Sequence, residues 1–133
     1  MIVLDTHALV WWVSDPSRLP AKARRSVDGE IGKKEGIAVS SISIWEVAML
    51  VAAARLELTL DAASWIANVE ALPFFRFVPV DNRIAANAVA LRDFPHKDPA
   101  DRMIVATALS LNATLVTADR RLRSYRPVAT VWD

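Results

Sequence analysis

Short runs of consecutive apolar residues alternate along this chain with longer stretches whose apolar positions recur at helical spacing. Met1-Ile2-Val3-Leu4, closed by Asp5, predicts a buried strand over residues 1–5. Asp15-Pro16-Ser17 then reads as a turn leading into a basic helix to about residue 31. Gly36 opens a second strand to about Ser40, and residues 43–54 carry helical spacing. A helix from Leu60-Asp61 runs to about Leu72, where Pro73 stops it. Phe77-Val78-Pro79-Val80 predicts a short strand, and Pro79, having no N–H to donate, marks its end or a sheet edge. Helices over 81–92 and 98–111 and strands over 113–117 and 128–132 complete the pattern. Strands separated by helices imply a parallel sheet of about five strands with both faces covered. The expected fold class is a three-layer α/β/α sandwich, one domain over residues 1–133.

Composition narrows the chemistry. The 133 residues include no cysteine, so disulfides and thiolate metal sites are excluded and any metal must sit on oxygen or imidazole. The apolar N-terminal run is short, meets Asp5 at once and has no basic region before it, which fits neither a signal peptide nor a membrane span. A cytoplasmic protein is expected. The net charge of +1 conceals two basic clusters, Arg18, Lys22, Arg24, Arg25, Lys33 and Lys34 early and Arg120, Arg121, Arg123 and Arg126 late. Each alone reads as a solvated helix face; beside an acidic centre each would suit a polyanionic substrate.

Four carboxylates supply that centre. Asp5, Glu46, Asp101 and Asp119 each stand where a buried strand or an apolar helix begins or ends. In parallel sheets ligands sit beyond the carboxyl ends of the strands, where these acids would gather. Helix capping explains each acid singly: Ser43 and Glu46 have capping-box spacing, Asp98-Pro99-Ala100-Asp101 reads as a helix start, Asp119 caps a short helix through Arg123, and Asp5 caps the turn from Thr6. Four at one edge require more, because two carboxylates about 4 Å apart repel by roughly 4 kcal/mol at an effective dielectric near 20. A divalent cation removes that penalty, and an all-oxygen site suits Mg²⁺ or Mn²⁺ better than zinc.

Four sequence blocks carry a resemblance: Leu4-Asp5-Thr6-His7-Ala8-Leu9; Ser40-Ser41-Ile42-Ser43-Ile44-Trp45-Glu46-Val47; His96-Lys97-Asp98-Pro99-Ala100-Asp101-Arg102-Met103-Ile104-Val105-Ala106-Thr107-Ala108; and Leu115-Val116-Thr117-Ala118-Asp119. In order and spacing they resemble PIN-domain ribonucleases, and among these the VapC-like toxins of toxin-antitoxin pairs. The resemblance implies a metal-dependent endoribonuclease that cleaves RNA with Mg²⁺ or Mn²⁺, pairs as a homodimer, and is silenced by a small VapB-like antitoxin with a basic side chain near the acids. It makes Asp5, Glu46, Asp101 and Asp119 the catalytic, metal-binding acids. Asp98 is an additional participant, and the Thr6 and Thr117 hydroxyls orient carboxylates or waters. His7 and His96 read as packed or solvent-facing imidazoles.

Trp45 reads as core, while adjacent Trp11 and Trp12 cannot share one helix face, so at least one is expected to be exposed or covered by a partner. Two other classes compete. A receiver-like phosphoacceptor domain also places aspartates at strand ends, but no acid stands at His7 to complete an Asp-x-Asp pair, and no strand-end aspartate near Val80 is followed by the usual late lysine. A non-catalytic binding module would use the acids as caps alone.

Overall fold

The computed structural model describes residues 1–133. Its core is a five-stranded, wholly parallel sheet: β1 (Ile2–Leu4), β2 (Ile37–Ser40), β3 (Phe75–Val78), β4 (Thr114–Val116) and β5 (Thr130–Val131), in spatial order β3-β2-β1-β4-β5. The strands are short and β-branched residues are frequent in them, as a sheet buried on both faces requires. Side chains alternate cleanly between two cores. Ile2, Leu4, Ile37, Val39, Phe75 and Val116 face one apolar cluster; Val3, Ala38, Val78 and Leu115 face the other.

Helices α1 (Thr6–Ser14), α2 (Ala21–Glu30) and α4 (Ala62–Glu70) cover the first face. Helices α5 (Asn82–Ala90), α6 (Pro99–Ser110) and α7 (Arg120–Arg123) cover the second. Helix α3 (Ser41–Ala52) touches both clusters, through Val47 on one side and Ile42 on the other. This is the expected three-layer arrangement with five strands.

The details depart from expectation in instructive ways. Helix α1 has no counterpart in the sequence reading, because Ala8 to Val13 is apolar on every side and shows no helical period. β3 lies two residues earlier than expected: Phe75 and Val78 are buried, the strand pairs Ile37↔Phe75 through Ser40↔Val78, and Pro79 falls just outside. It is also an edge strand, where a proline can terminate pairing without orphaning a neighbour. The last strand shrinks from 128–132 to Thr130–Val131. Gly36, at the mouth of β2, has φ +63°, and a Cβ there would lie 2.6 Å from the Phe74 carbonyl oxygen. Only glycine lets β2 start this close to the segment before β3.

Strand order reverses between β1 and β4: β2 and β3 are laid down on one side of β1, β4 and β5 on the other. A crevice beyond the carboxyl ends of β1 and β4 is the consequence.

Candidate metal centre

A cavity of about 550 Å³ occupies that crevice, and Asp5, Glu46, Asp98, Asp101 and Asp119 all line it. The geometry therefore brings together every acid singled out in the sequence. Asp5 follows β1, with its N–H donating to the Val116 carbonyl of β4 at 3.1 Å. Asp119 follows β4 and caps α7. Asp98 and Asp101 lie at the start of α6, and Glu46 projects from the second turn of α3.

Capping and cavity-lining coexist at Asp5 and Asp119. One Asp5 oxygen accepts from the Ala8 N–H at 2.8 Å. Asp119 accepts from the Arg121 N–H at 2.8 Å and the Leu122 N–H at 3.4 Å. Asp98 accepts from the Asp101 N–H at 3.2 Å, as its sequence context indicates. At Glu46 the capping-box reading is overturned. α3 begins at Ser41, its cap is Ser40, whose hydroxyl accepts from the Ile42 N–H at 3.2 Å, and Glu46 is too deep in the helix to reach back to a cap. Ser43 instead is buried and accepts from the Thr6 hydroxyl at 3.0 Å, locking α1 to α3. Thr6 thus ties two helices together, and it also lines the cavity. Thr117 does lie against the acids: its hydroxyl accepts from the Asp119 N–H at 3.1 Å and stands beside the Asp5 carboxyl.

The electrostatics register the crowding. Burial pushes Asp101 up to about 7, helped by Asp98, Glu46, Asp119 and Asp5 around it. Asp5 is only 7% exposed and is raised as well, mainly by burial, against the opposing hydrogen bonds of Thr117 and Ala8. For Asp119 burial also pushes upward, but the hydrogen bonds and charge of Arg121 outweigh it and hold the carboxyl below its ordinary value. Arg121 thus compensates Asp119, while burial leaves Asp5 and Asp101 raised in the same cavity.

His96 is the residue whose part the sequence left undefined. It packs against the Phe94 ring at 5.1 Å, and ligating atoms of His96, Asp101 and Asp119 all lie within 4.8 Å of one another. Its Nδ1 accepts from the Asp98 N–H at 3.3 Å, so a neutral ring carries its proton on Nε2. Nε2 lies 3.2 Å from Asp101 Oδ2, off the angle of a hydrogen bond. In this tautomer Nε2 has no free lone pair for a cation, whereas the carboxylates of Asp5, Glu46, Asp98, Asp101 and Asp119 offer oxygen donors. That set fits a hard divalent cation.

Aromatic residues frame the entrance. Trp11 lines the cavity, with His7 at 5.6 Å and the Arg18 guanidinium 4.6 Å above its ring. Trp12 turns the other way, onto Phe74 and Phe75. Both tryptophans are half-buried against their own chain, so neither of the pair is left fully exposed. Trp45, expected in the core, is 57% exposed because it lies on the face of α3 that turns away from both apolar clusters.

Comparison with known proteins places this geometry. The chain is 39% identical to Ribonuclease VapC22 of Mycobacterium tuberculosis over 98% of each chain. Its fold superposes on VapBC2 from Rickettsia felis, bound to a DNA fragment from their promoter, with a TM-score of 0.71, 20% identity and full coverage of both chains. It superposes on FitAcB from Neisseria gonorrhoeae with a TM-score of 0.65 and 25% identity, over 98% of this chain and 96% of that one. The PIN domain family profile matches residues 2–126, and the chain belongs to the PIN domain family.

Proposed function

We propose that the protein is an endoribonuclease toxin dependent on Mg²⁺ or Mn²⁺, and that Asp5, Glu46, Asp101 and Asp119 hold the cation. The observation that carries this reading is Glu46. Asp5, Asp98 and Asp119 each satisfy helix amides, whereas Glu46 lies mid-helix, caps nothing, and still lines the cavity with the others. A module using its acids only as caps has no need of it.

Within the cavity each side chain has a definable task. Asp5 is held by the Ala8 amide and the neighbouring Thr117 hydroxyl, so its carboxylate is fixed before any ligand arrives. Asp101, with a carboxyl raised to about 7, exchanges a proton near neutral pH while no cation is present. Arg55 and Arg121 line the same cavity and offer guanidinium groups to the phosphate oxygens of a bound RNA strand. When bound, the divalent cation would hold the phosphodiester and make water a better nucleophile at phosphorus. Asp98 supports the arrangement by fixing the first turn of α6.

The relative named a ribonuclease and the neighbours solved as VapBC complexes support an RNA substrate and a small VapB-like antitoxin for this chain. A carboxylate cluster of this kind attracts an arginine or lysine from such an antitoxin, whose apolar residues would cover the surface around Trp11 or Trp12. The resemblance also makes it a homodimer, the lack of cysteine suits a reducing cytoplasm, and no helix is long and apolar enough to cross a membrane.

The test is cleavage of single-stranded RNA by purified protein. Wild type is expected to cut with Mg²⁺ or Mn²⁺ and stop in excess chelator, and Asp5→Asn and Glu46→Gln to lose at least about 100-fold, the scale of several kcal/mol of transition-state stabilisation. Cleavage unaffected by chelator, with variants purified side by side, would reject the reading.

A further inference from the structure

The two basic clusters, a hundred residues apart in sequence, meet beside the cavity. Lys22 from α2 and Arg120 and Arg123 from α7 line one shallow depression of about 520 Å³ with Trp132. The indole of Trp132 packs tilted against Trp11 at 5.7 Å, and Trp11 lines the carboxylate cavity. Consecutive arginines on α7 divide between the two hollows: Arg121 faces the acids, Arg120 the depression. The cluster visible early in the sequence is itself divided, because Lys33 and Lys34 lie with Gly36 and Pro73 at the amino end of the sheet, opposite the acids. Arg123 is engaged by Asp133, which lines the depression too; Lys22 and Arg120 are exposed and have no ion-pair partner.

We propose that Lys22 and Arg120, reached from the carboxylate cavity across Trp11, form a track for the phosphate backbone of single-stranded RNA as it leaves the cavity. This deepens the endoribonuclease reading and rests on it. The cavity sets five carboxylates against two arginines, one of them paired with Asp119, so phosphates flanking the reacting one gain from cations placed outside it. The strip beside Trp11 meets that need, and the Arg18 guanidinium 4.6 Å above the Trp11 ring adds a cation at the crossing. Charge complementarity and continuity with the cavity favour RNA over an acidic protein segment as occupant.

The experiment measures binding of fluorescein-labelled single-stranded RNA of mixed sequence, with Ca²⁺ replacing Mg²⁺ to slow cleavage, across a range of salt. Removing both charges with Lys22→Gln and Arg120→Gln should lower the slope of log affinity against log salt by about 1.4, roughly 0.7 per contact. It should also erase the advantage of a long strand over a dinucleotide. Lys22→Arg with Arg120→Lys should restore the slope, and Lys33→Gln with Lys34→Gln should leave it unchanged. All these positions are exposed, so folding is not at stake. An unchanged slope in the first double variant, or an equal loss in the Lys33/Lys34 variant, overturns the track and leaves the strip to an acidic partner or to diffuse charge. If wild type neither cleaves nor binds RNA, the endoribonuclease reading fails first; cleavage with an unchanged slope removes the track alone.

Discussion

A carboxyl raised to about 7 is protonated in the folded chain under conditions where the unfolded chain has already ionised it, near 3.8. Between about pH 4 and pH 7 the folded state therefore binds more protons at Asp101, and its contribution to stability falls as pH rises. Asp5, raised as well, runs in the same direction, whereas the depressed Asp119 contributes stability above the ordinary value that is lost as pH falls. Without cation, Asp101→Asn should flatten the pH dependence by on the order of 1–2 kcal/mol across that window, after allowance for solvent at a partly open site. Denaturant titrations of wild type and variant in chelator read this directly. Parallel curves would mean that neither burial nor the neighbouring acids raise the Asp101 carboxyl. At this scale the sequence exposed the acids but not their division of labour. Capping-box spacing at Ser43 and Glu46 concealed that Ser43 belongs to a buried contact with Thr6, a pairing across 37 residues that no local pattern encodes.

Most helices announced themselves through their caps: Asp61, Asp81, Asp98 and Asp119 each accept a hydrogen bond from the first turn of the helix they precede. Helix α1 did not, because its apolar residues surround it and its cap, Asp5, also reads as the end of a strand. Backbone strain at two junctions gives predictions of opposite sign. Gly36→Ala should destabilise by roughly 2 kcal/mol or more, since a left-handed residue would also meet the Phe74 carbonyl. At the end of α3, Ala54 has φ +55°, while the Ala54 and Arg55 amides close onto the Val51 and Leu50 carbonyls at 3.0 and 2.9 Å. That left-handed cap usually falls to glycine, so Ala54→Gly should stabilise by about 1 kcal/mol. Thermal melts of the two variants check both signs. A destabilised Ala54→Gly would mean the turn carrying Arg55 into the cavity wall gains more from a stiff backbone than it loses to strain.

At the scale of the whole molecule, the reversal of strand order between β1 and β4 gathers acids from positions 5, 46, 98, 101 and 119. The alternation of strands and helices made the parallel sheet legible, and with it the edge at which the acids belong. Strand order was not legible, since it depends on packing between segments far apart in sequence, and so the meeting of Lys22 with Arg120 was hidden. The central claim is that this edge is a cation site in which Glu46 has no structural duty. Thermal melting of wild type and Glu46→Gln, each in chelator and in saturating Mn²⁺ at neutral pH, tests it most directly. The account predicts that Mn²⁺ raises the melting temperature of wild type, that Glu46→Gln melts at or above wild type in chelator because repulsion is relieved, and that it loses most of the Mn²⁺ increment, with each kcal/mol worth roughly 4 °C. A Glu46→Gln protein that melts lower in chelator and keeps the full Mn²⁺ increment would contradict it.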